Sequence, residues 1–267
     1  VPLRRIARSL TLFAQALCGR SVNIQALTDG EGPHPHATVN SDGVIIKLPS
    51  LLSRYATYEE NARLYMVMAA HEAGHVEFGT YDIRLTSLTD IVTMLHEGNG
   101  KTIHQSPKSL ADLFALYRQP GLIRDLWTVL EDARVEFFLK REYPGLRRDL
   151  SLLAAESVKT RTLSHGLTVR ELIVDQLLLL STAVEPESIA VPDPIVDMVA
   201  ELWSLCRAVM APDATAATAV RVAHRVYIRL DELLAQRREP VTGETPSSPE
   251  QSAAAASPRA SEEMSAD

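Results

Sequence analysis

The sequence predicts a mainly α fold with a small β-sheet, of the α+β class, on three observations. Apolar residues recur at helical spacing through most of the chain up to about Gln236. Two segments near the N-terminus instead show the alternating or β-branched pattern of strands. Apolar residues make up 46% of the 267 positions, which supplies a sizeable core.

The first helix is expected over about Arg4–Cys18, where Ile6, Leu10, Phe13 and Leu17 share a face and Gly19 provides a stop. Val22 and Ile24 alternate in a short strand, and the Gly- and Pro-bearing stretch Thr28–Asp42 is expected to be loop. Gly43–Pro49 is the strongest strand, a β-branched run ended by proline. Thr57 and Glu60 have capping-box spacing ahead of a helix running from Tyr58 to about Phe78. Further helices are expected at about 86–96, 109–118, 121–141, 148–160, 168–182, 193–210 and 214–236, with Thr168 and Glu171 forming a second capping box.

After Arg238 the composition turns to Pro, Ser, Ala and Glu with almost no large apolar residue, so 1–238 is expected to fold and 239–267 to form a disordered acidic linker or tail. The net charge of −7 sits mostly in that tail, where six acids face one base, Arg259; the remainder is near neutral and carries no basic patch for nucleic acid. No apolar run approaches the roughly 18 residues of a membrane span, and no signal peptide is evident. Cys18 and Cys206 both fall on apolar helical patterns and are expected to be buried thiols in a reducing, cytoplasmic compartment. A start at Val1 rather than Met suggests a processed or excised fragment.

The chemistry concentrates in His71-Glu72-Ala73-Gly74-His75. Residues four apart on a helix share a face, so His71 and His75 can direct their imidazoles at one ion. A catalytic zinc takes three protein ligands and keeps one position open. Glu72, one residue beyond the first ligand, is placed to act as general base on water at that position. The HExxH pattern arises by chance in on the order of one chain in a hundred of this length, and its competing explanation is a pair of core histidines beside a surface glutamate. Zn2+ is the expected cofactor, although ligand type alone does not separate it from other divalent ions.

The third ligand is sought in Leu130-Glu131-Asp132-Ala133-Arg134-Val135-Glu136. The surrounding helix is apolar on more than one side, so its three carboxylates and its arginine need partners or a metal. Glu131 is the first choice as ligand; Asp132, Arg134 and Glu136 are alternative ligands or groups that orient the histidines. The competing explanation is an intrahelical ion-pair cluster around Arg134. His96 and His104 are rival ligands in or beside a polar loop. Strand 43–48 either holds an extended substrate beside the metal helix or merely completes the sheet. Gly98-Asn99-Gly100-Lys101-Thr102 resembles the end of a phosphate-binding loop, but position 95 is leucine where that pattern needs glycine.

Four segments together, "AAHEAGHVEFGT" (69–80), "LEDARVE" (130–136), "SDGVIIKLP" (41–49) and the opening "RRIARSLTLFAQALCGRSV", resemble the N-terminal region of NorD/CbbO-type proteins. These are von Willebrand factor A-domain proteins linked to activation of nitric oxide reductase or rubisco. The resemblance covers about residues 1–160. It implies a cytoplasmic adaptor with a zincin-like domain, working with a MoxR-type AAA+ ATPase to activate or mature a target enzyme complex. The DxSxS motif of the family's A-domain is absent from this sequence. The alternative expectation is an active zinc metallopeptidase acting on a peptide segment.

Overall fold

The computed structural model describes residues 1–28, 30, 34–99, 106–160, 167–183 and 186–237. Helices dominate, and one three-stranded sheet lies near the N-terminus, as the α+β expectation requires. The first helix, α1 (Ala7–Cys18), leads into β1 (Val22–Ala26). The strands β2 (His36–Asn40) and β3 (Gly43–Leu48) follow, and the sheet order is β1-β3-β2. β3 pairs parallel to β1 and antiparallel to β2. Its Val44, Ile46 and Leu48 are buried, which is why the most β-branched segment of the chain takes the central place.

One expectation fails here. The stretch Thr28–Asp42 holds a strand, β2, where only loop was anticipated. Its alternation is short and bracketed by Gly and Pro, so the local pattern is weak; pairing with β3 supplies what propensity does not. Asn40 closes the β2–β3 turn by accepting the Asp42 amide at 3.0 Å. Gly43 has φ +131°, and a β-carbon there would stand 2.6 Å from the Ser21 carbonyl oxygen, so only glycine lets β1 approach.

Helix α2 (Tyr58–Glu77) opens on the expected capping box: Thr57 Oγ1 accepts the Glu60 amide at 3.2 Å and Glu60 accepts the Thr57 amide at 3.3 Å. Then come α3 (Thr89–Asn99), α4 (Leu110–Ala115), α5 (Pro120–Glu142) and α6 (Pro144–Thr160). The last three are α7 (Val169–Thr182), α8 (Val196–Cys206) and α9 (Ala216–Gln236). The α6 helix begins about one turn earlier than its periodicity suggests because Pro144 is preorganised for a first helical position. The tail expected to be disordered, 239–267, lies outside the described residues.

The buried side chains form two clusters. One gathers α1, the sheet, α2 and the start of α6; the other gathers α3, α4, α7, α8 and α9. Each takes in one of the two buried cysteines, and burial pushes the Cys206 thiol up to about 12. Among the described residues only α5 supplies buried side chains to both: Ile123, Leu126, Val129, Leu130 and Ala133 to the second, Val135 and Leu139 to the first. Residues 131–134 therefore sit at the seam. On the first cluster's side of that seam α2 meets α5 through Gly74, where a β-carbon would come within 2.9 Å of Val135 Cγ1 and 3.1 Å of Leu139 Cδ1.

Gly74→Ala tests that contact. Overpacking costs about 1–3 kcal/mol, against about 1 kcal/mol of helix propensity gained. We expect a net loss on the order of 1 kcal/mol and a melting temperature lower by a few degrees. A melting temperature equal to or above wild type in thermal denaturation would show that the helices have room to spare.

Candidate metal centre

Helix α2 positions His71 and His75 on its α5-facing side, one turn apart. Their Nε2 atoms are 3.1 Å apart, and the two rings meet edge to face. Asp132 reaches across from α5: its Oδ1 is 3.3 Å from His75 Nε2 and 3.8 Å from His71 Nε2. A tetrahedral ion with ligand bonds near 2.0–2.1 Å needs donor separations of about 3.3–3.4 Å. The three edges of this triangle bracket that value. Among the described residues this is the one cluster of His, Cys, Asp or Glu side chains close enough to hold a metal.

Glu131, the first-choice ligand from the sequence, faces elsewhere. It is 1% exposed and paired with Arg134, also 1% exposed, whose Nε donates to it at 2.9 Å. Arg134 also donates to the Phe78 carbonyl at the end of α2, at 2.9 Å. Glu131 accepts a short hydrogen bond from the Thr80 hydroxyl, and Thr80 Oγ1 lies 3.1 Å from His75 Nδ1. The correction has a simple cause. Adjacent helical residues point about 100° apart, and the azimuth facing the histidines belongs to Asp132. Glu136 pairs with Lys140 at 2.9 Å and reaches the cavity rim. His96 lies on α3, away from the lining, and His104 is outside the described residues.

The triangle lies in a cavity of about 770 Å³, which Glu72, His36, Tyr81 and Trp127 also line. Thr80, Tyr81 and His36 escaped sequence reading. Thr80 and Tyr81 follow the motif helix without any periodic signal, and the His-Pro-His run at 34–36 falls in the stretch whose composition points to loop. Strand β3 is not the substrate edge either, since it is paired on both sides. Among the described residues, the sheet edge beside the cavity is β2. Val44 donates to Ser21, so Val44 and Ile46 of β3 turn their backbone groups to β1. Their partners Val39 and Ala37 then point away from the sheet. Tyr81 donates its hydroxyl to that outward Ala37 carbonyl at 3.0 Å.

The electrostatics follow from burial and charge. Burial by itself would lower His71, but the hydrogen bond and charge of Asp132, helped by Glu72 and Glu136, hold it up at about 9. Asp132 is opposed by burial yet held well below the usual carboxylate range by both histidines. Burial raises Glu72, with His71 and His75 opposing the shift, which moves a carboxylate towards the range useful to a general base. Burial raises the Tyr81 hydroxyl, and the charges of Glu72, Asp132 and Glu131 push it further.

Compared with known proteins, the chain matches no family model, no curated protein and no solved structure.

Two outcomes are expected. Without metal, His71 keeps its proton up to about pH 9. An incoming ion must displace that proton, so zinc affinity should rise about tenfold per pH unit across the neutral range. A flat affinity profile in buffered-zinc titrations would contradict the His71 assignment. The folded value lies above the ordinary 6.5, so His71 stabilises metal-free protein fully below about pH 6.5 and ceases to as pH climbs through about 9. Second, Glu131→Ala and Asp132→Ala should part company. Loss of Glu131 strands a buried guanidinium and should cost about 3–5 kcal/mol of stability in denaturant unfolding. Loss of Asp132, a half-buried residue, should mainly abolish zinc binding. Equal unfolding midpoints for the two variants would refute this division of labour.

Proposed function

We propose that the chain is a zinc-binding domain whose centre is built for hydrolysis of a peptide. The observation that carries this reading is the convergence of His71, His75 and Asp132 at metal-bonding separations, with Glu72 beside them in a cavity. Two imidazoles and one carboxylate are a ligand set of the catalytic kind, which leaves a coordination position for water. Zinc held there would lower the pKa of that water towards about 7.

This chain's own residues supply the rest. Glu72 adjoins the first ligand, is 7% exposed and has its proton affinity raised by burial, which suits a group that takes a proton from water and returns it to a leaving amine. His36 lies near enough to act on the Glu72 charge. The outward amide of Ala37 and the outward groups of Val39 on β2, next to the cavity-lining His36, offer an extended peptide backbone a pairing edge. Peptide is the substrate class that fits a free strand edge beside a hydrolytic centre.

We also propose a setting for this centre, resting on the motif resemblance. HEAGH and LEDARVE, its two most specific segments, face one another across the ion site. In that setting the domain is a cytoplasmic adaptor that works with a MoxR-type AAA+ ATPase on a target enzyme complex, and its metal holds a recognition surface together. Among the described residues no helix is long and apolar enough to cross a membrane.

Variants at three positions separate the two roles. His71→Ala and His75→Ala should each lose bound zinc, measured by metal analysis of purified protein. Glu72→Gln keeps nearly the same shape and removes only the base, so zinc and fold should persist while peptide hydrolysis falls by 10²-fold or more, on the order expected for a lost general base. If Glu72→Gln leaves ATPase coupling and target activation unchanged, and wild type shows no hydrolysis, the adaptor role stands alone. Wild-type protein that takes up no zinc would end both readings.

A further inference from the structure

The chain of hydrogen bonds behind His75 has a direction, and that direction sets the state of the histidine. Thr80 has one hydroxyl proton and sits between two partners, Glu131 and His75. Glu131, held in its ion pair by Arg134, only accepts. The Thr80 proton therefore goes to Glu131. Were it turned towards His75 instead, the Thr80 oxygen would face a carboxylate oxygen at hydrogen-bonding distance with no hydrogen between them. With its proton committed, Thr80 Oγ1 accepts, and the group it accepts from is the Nδ1–H of His75.

We propose that Thr80 is a positioning residue that locks His75 in the Nδ1–H tautomer and leaves its Nε2 lone pair directed at the metal position. This deepens the metal-centre reading and depends on it only for its affinity arm. Three features support it. The relay is buried: Thr80 is 6% exposed, His75 9% and Glu131 1%. It spans both helices of the site, since Thr80 follows α2 while Glu131 and Arg134 belong to α5. Its far end is anchored by the Arg134 hydrogen bond to the Phe78 carbonyl, only two residues before Thr80. The segment carrying the hydroxyl and the arginine holding the carboxylate are thus fixed to each other. His71 has no counterpart among the hydrogen bonds of the described residues. Its bonding runs through Nε2 to His75 and Asp132 at the ion position itself. Only one of the two histidines is pre-aligned from behind, and the other is oriented by the ligands it meets.

The test uses the full chain with Thr80→Val and Thr80→Ser. Valine matches threonine in shape and cannot accept; serine keeps the hydroxyl. Nitrogen-15 NMR of the imidazoles in metal-free protein reads the tautomer, and competition with a chromophoric chelator reads affinity for Zn2+. Wild type and Thr80→Ser should show His75 as Nδ1–H. Thr80→Val should show a mixture or the opposite tautomer and bind Zn2+ about 10- to 100-fold more weakly, the usual effect of removing a partner that orients a metal ligand. Glu131→Gln, which can offer an amide N–H to Thr80 in place of the carboxylate, should also scramble the tautomer if it folds. A Thr80→Val protein with wild-type tautomer and affinity would overturn the proposal. Wild type that binds no Zn2+ but shows the Nδ1–H tautomer, lost in Thr80→Val, would uphold the relay while sinking the metal reading.

Discussion

A carboxylate and a guanidinium buried together at the seam of two apolar clusters, Glu131 and Arg134, constrain everything around them. Each would cost several kcal/mol if buried alone. They are tolerated because every strong demand is met nearby: each serves the other, Thr80 donates to the acid, and the Phe78 carbonyl takes a further proton of the arginine. Satisfying those demands ties the end of α2 to the middle of α5. The pair thus acts less as a source of net stability than as a register pin between two helices that must meet at one angle and height.

The triangle of His71, His75 and Asp132 inherits its geometry from that pin. With Glu131 turned into the seam, its neighbour Asp132 swings about 100° round the helix to face the imidazoles of α2. Gly74 allows the approach by leaving space for Val135 and Leu139. Helix α5 is held on both sides of this crossing, its N-terminal half by one cluster and its C-terminal half by the other. A small rotation of α5 is resisted at both ends, which keeps Asp132 at its separations from the two histidines.

The LEDARVE segment illustrates how densely a short stretch of helix can be used. Asp132 faces His71 and His75, Glu131 accepts from Thr80, Arg134 neutralises Glu131, and Glu136 lines the cavity beside Lys140. The intrahelical ion pair is present between Glu131 and Arg134, while the side chain that stands close enough to His71 and His75 to share a metal with them is a different residue, Asp132. Burial makes this arrangement necessary, since an apolar helix can carry three acids only if each has its own partner.

Local chemistry was enough to anticipate most of the elements and half of the site. Helical spacing, the Thr57 and Thr168 caps and the β-branched run of β3 are encoded within a few residues, so they were legible along the chain. The convergence of His71 and His75 is equally local, because residues four apart share a face of any helix. Other features had no such signature. Strand β2 needed β3 to form, Thr80 and Tyr81 became neighbours of the site only when the chain turned after α2, and His36 arrived from a segment 35 residues upstream of His71. Which of Glu131 and Asp132 stands beside the histidines depends on tertiary structure alone. Both are acids on one helix, and their roles differ only through the azimuth at which α5 packs against α2, which the two clusters and a buried ion pair set together.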